Sequence, residues 1–136
     1  MKRAIQPPAW KRPRGYTNAI AARGEHIFVA GQIGWNEDEV IVSADFAEQA
    51  AQALRNIVTL LREAGASPAD LVRLTWYVTD KREYRAARER LGAAYREILG
   101  DAYPAMTLVQ VADLLEDGAK VEIEATAVLT SGENHP

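Results

Sequence analysis

The chain has 136 residues, 48% of them hydrophobic, with a formal net charge of −3 and a pI near 5.4. That length suits one core, and the acidic balance argues against a protein that coats nucleic acid, because phosphate binding needs a concentrated positive surface. The chain contains no cysteine, which excludes disulfides, thiolate metal sites and a cysteine nucleophile.

No apolar run approaches the roughly eighteen residues of a membrane span, and no hydrophobic segment of signal-peptide type follows the basic N-terminus. The expectation is a cytoplasmic protein without a membrane partner. It should form a single domain over residues 1–136, with a basic arm at 1–14 and a flexible tail at 130–136. In the arm, Lys2, Arg3, Lys11, Arg12 and Arg14 precede any acidic residue. Such a run is either a solvated tail or a contact for polyanions.

The first β-prone stretches are Thr17 to Ala22 and His26 to Ile33. Arg23-Gly24-Glu25 between them suits a hairpin turn, which predicts that the two strands pair. Val40-Ile41-Val42 suggests a brief extended piece. From Phe46, apolar residues recur at three-and-four spacing through Ala50, Ala53, Leu54, Ile57, Leu61 and Ala64, as in an amphipathic helix. Asp45, three residues before Glu48, predicts its cap, and Gly65 its stop.

Leu71 to Thr79 is rich in β-formers and reads as a strand. A second helix is predicted from Asp80 to Gly100, burying Tyr84, Ala87, Leu91, Ala94 or Tyr95, and Ile98. Strands at Met106 to Ala112 and Val121 to Leu129 follow, parted by Glu116-Asp117-Gly118. The order ββαβαββ predicts an α/β (α+β) fold with a mixed sheet and both helices on one face.

In the last strand Val121, Ile123, Ala125, Ala127 and Leu129 point one way, toward the helices. Glu122, Glu124 and Thr126 point the other. The strand before it is apolar on both sides, so one sheet face is half apolar with no helix left to cover it. A closed symmetric oligomer would bury that face; an exposed antiparallel face is the alternative.

Several segments together resemble the RidA/YjgF pattern, also known as endoribonuclease L-PSP. They are Ala30-Gly31-Gln32-Ile33, Gln49 to Asn56, Glu63-Ala64-Gly65, Tyr77-Val78-Thr79-Asp80, Tyr103-Pro104-Ala105 and Val121 to Ala127. The resemblance runs from about Tyr16 to Leu129. It implies a chorismate-mutase-like fold, a homotrimer with ligand clefts between subunits, no cofactor, and hydrolysis of enamines or imines to 2-keto acids and ammonia.

The resemblance also assigns site residues. Glu122 matches a glutamate that holds or activates water, and Tyr16 a cleft tyrosine. Gly31, Gln32, Tyr77 and Ala105 fall on cleft positions. Relatives hold the substrate carboxylate with an arginine directly after Pro-Ala, where this chain has Pro104-Ala105-Met106. A thioether offers no charge-assisted hydrogen bonds, so Met106 cannot hold an anion. Either the ligand is less charged, or a cation reaches the cleft from elsewhere, with Arg14 and Arg73 as candidates. Core filling is the plainer role for Met106.

Trp35 and Trp76 lie beside these positions and would suit an aromatic or extended ligand, although packing is the commoner use of tryptophan. Glu124 shares a face with Glu122 and is a second candidate base. His26 and His135 have no histidine neighbours, and no metal, phosphate-loop or dinucleotide motif is present. Three functions compete: a deaminase with non-standard substrate recognition, a metabolite-binding trimer without catalysis, and a ribonuclease or translation inhibitor. The basic arm alone supports the last.

Overall fold

The computed structural model describes residues 2–130. The tail at 131–136, with His135, lies outside the described residues. Strand β1 (Lys2–Ile5) pairs antiparallel with β2 (Ala19–Ala22), Lys2 standing opposite Ala22. The basic arm thus contributes a strand. A second, four-stranded sheet has the order β3-β6-β4-β5, built from β3 (Glu25–Gln32), β4 (Leu71–Val78), β5 (Ala105–Gln110) and β6 (Val121–Leu129). Strands β4 and β5 run parallel and the other pairs antiparallel, so this sheet is mixed.

The expected hairpin between β2 and β3 does not form, since β2 bonds to β1 and β3 to β6. Gly24 marks where the chain parts from β2. Its φ is +147°, and a Cβ there would stand 2.3 Å from the Leu129 carbonyl oxygen. The chain turns tightly against the end of β6 and does not fold back on β2. Of the extended piece at residues 40–42, a single bridge between Ile41 and Trp35 forms.

Helix α1 (Phe46–Glu63) is capped as its sequence predicts: Asp45 Oδ2 accepts the Glu48 N–H at 3.0 Å. Gly65 takes φ +80°, and the Ala66 N–H closes on the Leu61 carbonyl at 2.8 Å. The second helix starts at the Asp80 cap but breaks at Ala87 into α2 (Lys81–Ala86) and α3 (Arg88–Leu99). The Ala87 N–H is shared between the Glu83 and Tyr84 carbonyls, the tightened ending typical of a helix terminus. On α3 it is Tyr95 that is buried, not Ala94.

The core lies between the helices and one face of the four-stranded sheet. Leu54, Ile57 and Leu61 of α1 meet Leu74 and Val78 of β4 and Val121 and Ile123 of β6, all fully buried. Each such side chain contributes about 1.5–3 kcal/mol by leaving water. Gln49 is the buried polar exception, and its amide is fully used. It donates to the Ser43 and Gly118 carbonyls at 2.9 and 3.0 Å and accepts the Lys120 N–H at 2.8 Å. The start of α1 is thereby fixed to the turn that leads into β6.

Candidate functional site

Side chains alternate across a strand, and the sheet register assigns each candidate to a face. In the parallel ladder Met106 pairs with Leu74 and Leu108 with Trp76, all on the helix side. In the antiparallel ladder Tyr77 stands opposite Glu122 and Thr75 opposite Glu124, on the uncovered side. Trp76 and Tyr77 therefore point apart, and so do Ala105 and Met106.

On the helix side Met106 and Trp76 line a pocket of about 360 Å³. Its other walls come from α3, with Arg88, Gly92 and Arg96 one turn apart, and from Tyr84. Arg14 and Gly15 of the N-terminal segment complete it. They are held there because Thr17 donates its N–H to the Pro104 carbonyl at 3.1 Å and its hydroxyl to the Tyr103 carbonyl. Trp76 packs edge-on against Tyr84 at 6.3 Å, and Tyr95 stacks on Tyr103 at 5.6 Å. Burial pushes the Tyr95 phenol well above its ordinary pKa, and its hydroxyl donates to the Ala102 carbonyl at 2.6 Å. Met106 both packs on the core and lines this pocket.

On the uncovered face Glu122 lies across β3 at Gly31. A Cβ on Gly31 would fall 2.0 Å from Glu122 Oε2, so the missing side chain is what admits the carboxylate. Beside it the Tyr77 hydroxyl donates to Glu124 Oε1 at 2.7 Å. This bond, with burial and the charges of Glu124 and Glu122, raises the Tyr77 pKa above its usual 10.0. Glu124 is thus occupied by a phenol, while Glu122 is set over a glycine.

The remaining candidates lie apart. Gln32 and Trp35 line a third hollow of about 420 Å³ with Asn56, whose amide donates to the Trp35 and Ile33 carbonyls at 2.8 and 3.3 Å. Tyr16 is exposed, and its neighbours Arg14 and Gly15 line the helix-side pocket in its place. Arg73 is exposed at the start of β4 and does not line that pocket. Arg88 and Arg96 do, and sequence reasoning missed them; the signal was their i, i+8 spacing about Gly92. Among the described residues no group of three or more histidine, acidic or cysteine side chains could hold a metal. No helix among them is long and apolar enough to cross a membrane.

An α+β domain with a pocket on one sheet face and a carboxylate set over a glycine on the other is the class that fold and site define. The family model for Endoribonuclease L-PSP matches residues 8–129. A RutC family protein of Pyrococcus abyssi is 39% identical over 113 residues, covering 82% of this chain and 84% of that protein. The 2-iminobutanoate/2-iminopropanoate deaminase of Escherichia coli is 36% identical over 105 residues, covering 77% and 80%. Among solved structures, a Rid family protein of unknown function from Yersinia pestis superposes with a TM-score of 0.81 at 34% identity, covering 94% and 98%. The chain belongs to the RidA/YjgF (Endoribonuclease L-PSP) family.

Proposed function

We propose that this protein hydrolyses an enamine or imine to a carbonyl compound and ammonia at a cleft between subunits of a closed homotrimer. The observation that carries the reading is the placement of Glu122. Imine hydrolysis needs a positioned water, a base to take its proton and a donor for the departing nitrogen. Glu122, half-buried over Gly31 and free of the phenol bond that occupies Glu124, is suited to hold and deprotonate that water. Similarity to the E. coli deaminase supports the same chemistry.

The sheet topology supports a cleft between subunits. Glu122 and the Met106 pocket lie on opposite faces of one sheet, so a ligand that touches both must bridge two copies of the chain. The uncovered face also exposes Phe28 and Val109, apolar surface that a neighbouring copy would bury. Ammonia release from a panel of enamines and imines tests the activity, with Glu122→Gln expected to abolish it. Equal inactivity of both proteins across the panel overturns the hydrolase reading. It would favour a metabolite-binding trimer without catalysis, for which the methionine after Pro104-Ala105 speaks. Light scattering of the purified protein tests the assembly, and a monomer would rule out the bridged cleft.

A further inference from the structure

The helix-side pocket presents donors and cations. Arg14, Arg88 and Arg96 line it, and none of their guanidinium groups forms an ion pair or hydrogen bond among the described residues. Trp76 lines it too. Its indole N–H is the buried side-chain polar atom that lacks a partner among those residues.

Gly92 adds an independent observation. Glycine inside a helix is unfavourable relative to alanine, so its presence calls for a reason. Packing does not supply one, since a Cβ at Gly92 would meet only the Arg96 guanidinium, at 3.4 Å. What the missing side chain leaves is room for the Arg96 guanidinium to lie over Gly92, with Arg88 and Arg96 four residues to either side of it on α3. The flanking surfaces are aromatic, from Trp76, Tyr84 and Tyr103.

We propose that this pocket binds a carboxylate carried on a flat or aromatic body, with Arg88 and Arg96 clasping the anion across Gly92. The arginines of α3 thus supply from a helix the charge that Met106 cannot supply from β5. Guanidinium groups suit this task because their paired N–H donors match the two oxygens of a carboxylate. The pocket volume is ample for a single-ring acid. The inference names the ligand of the cleft proposed above, and rests on that reading for its place in catalysis though not for binding.

Calorimetry on the full chain tests it with three probes: phenylpyruvate, pyruvate, and 2-phenylethanol, which keeps the ring and lacks the anion. Phenylpyruvate is expected to bind at least tenfold tighter than either other probe. Arg88→Ala and Arg96→Ala should each weaken it fivefold or more. Gly92→Leu, which fills the gap, should abolish binding without lowering the thermal midpoint. Equal binding of the three probes, no binding of phenylpyruvate, or affinity indifferent to both arginines overturns the inference. Ammonia release from imines with arginine-indifferent binding would sink this proposal and leave the hydrolase reading. Arginine-dependent binding without ammonia release would do the reverse.

Discussion

The two faces of the four-stranded sheet are built from the same strands and differ in almost every chemical respect. Toward the helices, side chains are apolar and closely packed, and the pocket that interrupts them is lined by arginines and aromatic rings. On the other side, the strands present two glutamates, a tyrosine and exposed apolar groups. Alternation along β4, β5 and β6 enforces this division, because one residue step moves a group to the opposite side. Acid and cation are thereby kept apart within one chain, and under the proposed function a second copy is what brings them together.

The largest expected effect breaks the uncovered face. Glu122→Gln keeps the shape over Gly31 but removes the base, and should lower ammonia release about 100-fold or more, with the thermal midpoint nearly unchanged. The covered face should respond in the opposite way. Gln49→Leu leaves the Gly118 carbonyl and Lys120 N–H without partners, and should cost about 2–4 kcal/mol in urea unfolding.

Gly31→Ala sharpens the contrast. The added Cβ would displace a flexible carboxylate and not backbone, so activity should fall about tenfold while stability changes by less than about 1 kcal/mol. A stability loss matching that of Gln49→Leu would show that Gly31 serves packing.

The smallest effect concerns the Asp45 cap. Its hydrogen bonds from Arg90 and then from the Glu48 N–H hold its pKa below the ordinary 3.8. A carboxylate depressed on folding stabilises above its unfolded pKa, and that benefit is lost as pH falls through the lower folded value. The difference in thermal midpoint between wild type and Asp45→Asn should therefore be constant from about pH 7 to pH 5 and shrink below about pH 4. A difference that persists at pH 2 would mean that charge is not the cause.

Much of the architecture is readable without coordinates where burial imposes a period. The alternation in Val121–Leu129, the stripe of α1 and the Asp45 and Asp80 caps are local patterns with one physical solution each. Long-range choices are not local. That β2 takes β1 as partner, while β3 pairs with β6 about a hundred residues away, is a choice no local pattern announces. The break at Ala87 likewise carries no breaker residue to announce it.

The candidate site was legible as a set of residues and not as a geometry. Gly31 signals close approach, but which side chain approaches depends on the β3–β6 register. Arg14 reaches the Met106 pocket through Thr17, whereas Arg73 does not line it. Arg88 and Arg96 were visible as charges on a helix, and the usual place for those is water.

The fastening of Thr17 to Tyr103 and Pro104 has a practical consequence for the molecule's front end. Residues 14 and 15 belong mechanically to the rim of the cavity and not to the strand that precedes them. A protease that clips after Gln6 would remove β1 yet leave Arg14 anchored, whereas a truncation that takes Thr17 would strip the rim itself.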